Sequence, residues 1–360
     1  MAYTSFGVND AMAVKLWSKA LTVAMRDNLD LAPLMGTDSN SIIHVKEDAR
    51  KGSGDKVTCG LRARLTGDGI TESEIAEGNG ESLSIYSDAV VLNELGHVAA
   101  ARSENTIDQQ RVPFSLRNEC KDALGEWWAD RFSVSFFNHV CGYTPQTDTK
   151  YTGLNAVSGI ATGTGLERQI VAGANANDEN LGSSDTFTLE LVDQAVEAAK
   201  VGNQKVRPMK IGGMEKYVMY LHPYQVTALR TATGTTQWNA IMQSALSGGQ
   251  ISKNPIYTGA LGEYNGVILR SSQDVTQGVN SSSGAAITTV RRAVLLGAQA
   301  AVCAFGKKGG MDRARWNEEL LDHKRKLEVS AWQIWGLKKS VWNSVDFGTV
   351  VVSTYAAASA

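Results

Sequence analysis

The stretch EWWADRFSVSFFNHVCG, residues 126–142, puts two tryptophans and three phenylalanines into one short helical run. Such a stripe suits an enzyme core, a cofactor box or a rod that must stay stiff over a long distance. Upstream, Ser115 follows Pro113 and is a plausible N-cap, and Gly142 is a plausible C′ stop, so the spacing predicts a helix over 116–141, roughly 39 Å long at 1.5 Å per residue. Its apolar positions form an i+4 series: Leu116, Cys120, Leu124, Trp128, Phe132, Phe136 and Val140. Each step of four overshoots a full turn by about 40°, so the stripe precesses by roughly 240° along the rod. One flat partner cannot cover it, and successive parts must meet different elements. No histidine or charged pair faces the stripe at ligand spacing, which speaks against a cofactor box.

Around this rod the chain is an ordinary globular one. It has 360 residues, a 43% hydrophobic and 20% charged composition and a formal charge of −2, which gives no bulk attraction for nucleic acid. Its 35 glycines imply many tight turns or close backbone approaches. Cys59, Cys120, Cys141 and Cys303 lie far apart with no CxxC pair, against a disulfide scaffold or structural zinc. The N-terminal residues lack an unbroken apolar h-region, carrying Asp10, Lys15 and Lys19 where one would lie, so no signal peptide is expected; no run approaches a membrane span.

Residues 10–26 read as an amphipathic helix behind Asn9, with Val14, Trp17, Leu21, Ala24 and Met25 on one face and Lys15, Ser18, Lys19, Thr22 and Arg26 largely opposite. KVTCGLRARL (56–65) alternates strictly, and SLSIYSDAVVLNEL (82–95) is a second strand-like run. Between them TGDGITESEIAEGNGE (66–81) carries acidic residues and no cation. Unstructured connections of this length are uncommon in compact domains, so the segment reads as a long hairpin with a projecting acidic tip. The flanking 41–65 is basic, and one copy's tip could dock on another copy's basic stretch. The contact candidates are Asp68, Glu72, Glu74 and Glu77 on the tip and Lys51, Lys56, Arg62 and Arg64 on the receiving side; a solvated loop is the plainer reading of the same charges.

Farther on, Leu189, Val192, Val196 and Ala199 predict a helix over about 188–201 with Gly202 as its stop. KYVMYLH reads as a strand, Pro223 opens a helix, and Asn265-Gly266 marks a hairpin. Residues 203–318 thus form a mixed lobe inserted before closing strands at 325–337 and 347–355, where Trp332, Trp335 and Trp342 are large packing groups. Catalytic motifs are missing. LSGGQ (246–250) copies a nucleotide-transporter signature, but the one Gly-Lys, at 306–307, sits in no phosphate-binding loop. Gly163 and Gly165 lack the third glycine of a dinucleotide fingerprint. The five histidines are scattered, and no GxSxG occurs. No catalytic, cofactor-binding or metal residue is assigned, and no cofactor is expected.

Several stretches together resemble the major capsid proteins of tailed double-stranded DNA phages, in the family typified by short-tailed phages of the N-four kind. They are GVNDAMAVKLWSKAL (7–21), KGSGDKVTCGLRARLTGDG (51–69), QRVPFSLRNECKDALGEWWADRF (110–132), NPIYTGALGEYNGVILRSS (254–272), RRAVLLGAQA (291–300) and WGLKKSVWNSVDFGTVVVSTYA (335–356). The resemblance implies an α+β chain of the Hong Kong-97-type capsid fold: an N-terminal arm over 1–50, an E-loop hairpin over 51–100, a P domain over 101–202 with its spine helix at 116–141, an A domain over 203–318, and P-domain closing strands over 319–360. It implies hexamers and pentamers of one chain in an icosahedral head, assembled in the host bacterial cytoplasm and enclosing DNA without sequence-specific binding. Scaffold, portal and decoration proteins are the implied partners, with no membrane. A cellular encapsulin-like compartment shell is the nearest rival, and an enzyme whose residues converge only in three dimensions is a rival of another class.

Overall fold

The computed structural model describes residues 11–46, 54–62, 65, 67–73, 75, 77–103, 106–161, 168–201, 204–231, 262–306 and 314–358. Helix α1 (Ala11–Asn28) leads into strands β1 (Met35–Gly36) and β2 (Ile43–Lys46), and β3 (Lys56–Arg62) pairs with β4 (Ile85–Val91), which runs on into β5 (Asn93–Arg102). Helices α2 (Ile107–Arg111), α3 (Leu116–Val140) and α4 (Thr149–Thr152) follow, then β6 (Gln169–Val171), α5 (Leu189–Lys200), β7 (Met209–Ile211), β8 (Met214–Leu221) and α6 (Pro223–Thr231). The remainder is strands: β9 (Glu263–Tyr264), β10 (Val267–Ser271), β11 (Gln277–Val279), β12 (Ala286–Leu296), β13 (Ala301–Phe305), β14 (Arg315–Leu321), β15 (Lys326–Lys339), β16 (Val341–Trp342), β17 (Val345–Asp346) and β18 (Thr349–Tyr355).

Two sheets organise these elements. A six-stranded sheet is built on β15: β13 and β14 follow one another along one side of it, β5 pairs along the other, and β2 and β1 extend the sheet beyond β13. An eight-stranded sheet runs β6-β18-β12-β8-β10-β9, with β11 on β12 and β7 on β8. Its central strands are apolar on both faces, as a sheet covered on both sides requires. Tyr217, Met219, Leu295, Val350 and Val352 meet α5, while Val218, Tyr220, Val294, Leu296 and Val351 belong to the core around α3.

Helix α3 is the predicted rod, and its precessing stripe meets a different partner at each level. Near its start it packs on α1, where a Cβ on Gly125 would lie 3.1 Å from Ala24 Cβ. Glycine inside a helix costs about 1 kcal/mol relative to alanine, and the close approach of α1 accounts for it. In the middle, Trp128 and Phe132 pack on Trp335 of β15 at centroid distances of 6.4 and 5.5 Å, and Trp127 stacks on His97 of β5 at 4.6 Å. At the inner end Phe137 meets Tyr220 of β8 edge to face at 5.3 Å. Residues 135–140 are all buried, so the helix enters from the surface and ends between the two sheets.

Four expectations change. Thr22 and Ser18, assigned to the polar face of α1, take part in packing: Thr22 is buried, its Oγ1 donates to Ser18 O at 2.8 Å and accepts from Ala314 N at 3.4 Å, and Ser18 Oγ accepts from Trp316 N at 3.3 Å. Trp332, expected to pack inside, lies on the outer face of its sheet at 36% exposure, because β15 alternates and its odd-numbered residues face α3. The strand-like run at 82–95 begins pairing only at Ile85. The inserted lobe and the closing strands, expected to share one sheet, are spread over two: β13 and β14 join the six-stranded sheet with β15, while β7 to β12 lie in the eight-stranded one with β18. Asn9, the side chains of Val14, Lys15, Lys19 and Arg26, and Gly202 lie outside the described residues.

The hairpin leaves the body where β4 crosses β15. A Cβ on Gly336 would fall 2.3 Å from Val91 O and 3.0 Å from Val90 Cγ1, so only glycine permits the crossing. Gly336→Ala is expected to cost about 1–3 kcal/mol through overpacking and to speed amide exchange across β3 and β4 more than across β12 and β18. Equal effects on all four strands would contradict that localisation.

Candidate assembly surfaces

Strands β3 and β4 pair from Lys56–Val91 to Arg62–Ile85 and are joined by residues 63–84. Their root is fixed three ways. Val57, Val90 and Leu92 pack on Val302, Ala304 and Ile334. Asn155 imitates a strand neighbour, its Oδ1 accepting from Val91 N and its Nδ2 donating to Val91 O, both at 2.9 Å. Lys338 Nζ bridges to Asp88 Oδ1 at 2.5 Å. Beyond the root the alternation persists while the cover thins: Val57 is buried, Cys59 packs half-buried against the root cluster, Leu61 is half-buried, and Ile85 is 72% exposed.

The loop is exposed throughout its described residues. Its hydrogen bonds from Gly67 N to Glu81 Oε2 and from Asn79 Nδ2 to Ile75 O, each 2.8 Å, stay within the loop. Of the residues predicted from charge, Lys56, Arg62, Asp68, Glu72 and Glu77 are exposed on the hairpin and are not brought into a common site within one chain, while Lys51, Arg64 and Glu74 lie outside the described residues. Charge reading missed the apolar side chains among those acids. Leu65, Ile70, Ile75, Leu83 and Ile85 are between 45% and 75% exposed, and Ile75 is the most exposed large apolar residue described. Each isolated exposed isoleucine would be unremarkable, but five apolar groups on one projecting element mark an interaction surface. The signal was legible as isoleucines inside a glycine- and glutamate-rich loop.

The arm helix α1 is held by a compact lock. Trp17 stacks on Trp316 at 5.5 Å and 16°, and the Arg117 guanidinium lies 4.4 Å over the Trp17 ring. Arg117 grips Glu318 through Nη2 at 2.7 and 2.8 Å and Nε at 2.9 Å, and Trp316 Nε1 donates to the same carboxylate at 2.6 Å. Glu318 is 4% exposed, so its charge is sustained by these donors. A second network seals the inner end of α3. Arg292 Nη1 donates to the Cys141 and Gly142 carbonyls at 3.2 and 3.0 Å while its Nε bridges to Asp178 at 2.8 Å. A cation at a helix C-terminus meets the negative end of the macrodipole. Nearby Lys339 and Asp346, both fully buried, pair at 2.9 Å. Burial pulls the lysine down and pushes the aspartate up, and their mutual attraction opposes both shifts.

His139, on the same helix end, donates from Nε2 to Thr152 O at 2.9 Å, and burial lowers its pKa to about 4. Among the described residues no group of histidines, cysteines and carboxylates could hold a metal, and no helix is long and apolar enough to cross a membrane.

A long helix gripped between two sheets, with a docked arm and a hairpin rooted where the first sheet meets it, is the α+β Hong Kong-97-type capsid fold. The chain belongs to the phage capsid protein family, which it matches over residues 5–358. It is 25% identical over 382 residues to the major capsid protein of Pseudomonas phage KPP25, covering 99% of this chain and 98% of that protein. Among solved structures, the capsid of Ralstonia phage GP4 superimposes with a TM-score of 0.77 at 26% identity over 100% of both chains. The capsid of cyanophage Pam1 shares the fold with a TM-score of 0.72 at 21% identity, covering 91% of this chain and 92% of that one.

Two outcomes test these networks. Arg117→Ala should destabilise the chain by about 3–5 kcal/mol in denaturant titrations, since it strands a buried carboxylate, whereas Arg117→Met with Glu318→Gln should cost clearly less; equal losses would contradict a charge-pair lock. The neutral His139 gives a pH signature. As pH falls from about 6.5, the unfolded chain takes up a proton that the folded chain refuses until about 4. Stability should therefore drop across that window, by on the order of 3 kcal/mol from this residue, and His139→Gln should flatten the profile.

Proposed function

We propose that this chain is the major capsid subunit of a tailed double-stranded DNA phage, whose copies form the hexamers and pentamers of an icosahedral head around the genome. The observation that carries the reading is the hairpin: rooted by packing, hydrogen bonds and an ion pair, with Leu65, Ile70, Ile75, Leu83 and Ile85 exposed beyond the root. A group so arranged is completed by another molecule, and identical copies supply it at every position of a shell. Contacts of a few kcal/mol or less suffice, because each subunit makes several at once. The full-length similarity to a Pseudomonas phage major capsid protein favours a phage head over a cellular compartment shell.

Within this reading residues 1–50 are the arm, 51–100 the E-loop, 101–202 and 319–360 the P domain, and 203–318 the A domain. The stretches quoted above support grouping the phage with short-tailed relatives of the N-four kind. Scaffold, portal and decoration proteins are its partners, assembly takes place in the host bacterial cytoplasm, and the chain serves as wall without catalysis. With a net charge of −2 the wall does not bind the genome by bulk charge. The acidic loop (Asp68, Glu72, Glu74, Glu77) engages cations of another copy, with Lys51, Lys56, Arg62 and Arg64 as receiving candidates.

Expressed with a scaffold, the chain should yield closed shells or curved sheets by negative-stain microscopy; small monodisperse particles under all conditions would contradict the capsid reading. Reversing Glu72, Glu74 and Glu77 to lysine should impair assembly or make it strongly salt-sensitive. Each exposed pair is worth only about 0–1 kcal/mol, and the deficit builds up by repetition. Normal shells with an unchanged salt response would remove the charge contact and leave the shell.

A further inference from the structure

Strand β5 is a border of the six-stranded sheet, paired with β15 without a break from Asn93–Trp335 to Arg102–Lys326. Ser103 N donates to Arg325 O at 3.0 Å in the same register. Antiparallel pairs bond alternately, so the odd-numbered residues of β5 are the ones bonded to β15. In agreement, Ile334 O accepts from Gly306 N at 2.9 Å on the β13 side, so the even-numbered residues of β15 turn away from β5. The N–H and C=O groups of Glu94, Gly96, Val98, Ala100 and Arg102 therefore point off the sheet, and among the described residues no strand pairs with them. The border at β14 differs, because α1 covers it and Ser18 Oγ accepts from Trp316 N at 3.3 Å.

An open strand edge is a template for another chain, and proteins blunt such edges with lysine, proline or a bulge. Strand β5 uses none of these: LGHVAAA, over 95–101, is uncharged apart from its histidine and free of proline, and the pairing with β15 has no register shift. Its charges stand only at the ends and are of opposite sign, Glu94 and Arg102, both exposed. Arg102 lies beside Lys326 on the same face, an arrangement of like charges that destabilises a sheet, and its carboxylate neighbour Asp108 stands off at 3.6 Å. Among the described residues no cation pairs with Glu94.

We infer that β5 pairs antiparallel with β5 of a second copy about a two-fold axis through Val98, joining two six-stranded sheets into one. In this register Glu94 faces Arg102 of the second copy, Gly96 faces Ala100, Val98 faces its own counterpart, and every outward N–H meets a carbonyl. Glu94 of the second copy then stands in line with Arg102 and Lys326 and offsets their repulsion. Val98, 45% exposed, gains an apolar neighbour, and Ala100 of the second copy is small enough to lie beside Gly96, over which the Trp332 ring sits. Sliding the ladder by one step in either direction leaves a charge without its opposite. The inference rests on the shell reading and deepens it. Two-fold contacts are isologous, whereas contacts around a hexamer or pentamer run head to tail, so β5 joins copies of neighbouring rings. The subunit folds without this partner, since Leu95, Ala99 and the His97 ring already pack on the α3 side.

The test uses the full-length chain, with single-residue amide exchange and shell yield as its readouts. The amides of Gly96, Val98 and Ala100 should exchange freely in dissociated subunits and slow at least about tenfold in shells, while those of His97, Ala99 and Ala101 stay protected in both. Even-numbered amides that do not slow, or slowing shared equally by odd and even residues, overturn the inference. Glu94→Lys should lower shell yield about tenfold, because it sets lysine against arginine at both ends of the pairing and the loss recurs at every copy. Glu94→Arg with Arg102→Glu restores both charge pairs and should recover yield to within about threefold of the parent. Both positions are exposed, so thermal unfolding of the unassembled subunits should be unchanged. Normal yield from Glu94→Lys, or no recovery in the swap, overturns the inference and leaves the capsid reading standing. Parent chains that never form shells overturn both readings.

Discussion

The structure depends on burying the inner half of α3 between two sheets. Phe136, Phe137 and Val140 are fully buried there, and each such side chain contributes about 1.5–3 kcal/mol by leaving water. Burying a helix end strands its last carbonyls unless something donates to them. Arg292 does so, and Asp178 holds Arg292 while accepting from Gln169 Nε2 and Val279 N. Since Asp178 and Arg292 belong to the second sheet and its flank, the helix cannot withdraw without breaking that network. The rod is thereby fixed to both sheets, and its outer half becomes a rigid base for the arm.

On this base the chain divides its surface into satisfied and unsatisfied parts. The arm lock is satisfied within one chain, because Glu318 has its donors and Trp17 its ring partner. The hairpin root is likewise complete, with Asn155 supplying the hydrogen bonds that a neighbouring strand would. Past the root the apolar residues run on into the exposed loop, at Leu65, Ile70, Ile75 and Leu83. A floppy element in that position would lose ordering entropy on docking. A clamped one presents its apolar residues at a set angle, and weak contacts can then close a regular lattice with errors still reversible.

Much of this was legible in the sequence for local reasons. The helix at Leu116–Val140 followed from its i+4 stripe and from Gly142, which holds φ of 63°, whereas Ser115 takes the N-cap position without a side-chain cap bond and Gln109 Oε1 accepts from Leu116 N in its place. The Asn265-Gly266 turn and the closing strands followed from turn chemistry and period-two alternation. The precession of the stripe even foretold that the rod would meet several partners. Arg117 and Glu318 were not legible, because they are 201 residues apart and nothing local marks either as a partner. Trp332 was misplaced because tryptophan suggests burial, whereas strand parity turns it outward. The sheet partition was hidden because β13 joins β15 and β2, and β18 joins β12 and β6, by long-range pairing. The acidic loop stood out by charge, which drew attention away from its isoleucines, the larger departure from an ordinary surface.

The central claim is that the body is complete in one chain while the hairpin loop is completed only by another. Hydrogen exchange on dissociated subunits and on intact shells tests it most directly. The account predicts that amides of 67–84 exchange within seconds in the free subunit and slow by at least about a hundredfold in the shell, consistent with docking contacts adding up over a copy, while those of 135–140 stay protected in both. A loop already protected in the free subunit, or equally unprotected in the shell, would contradict it.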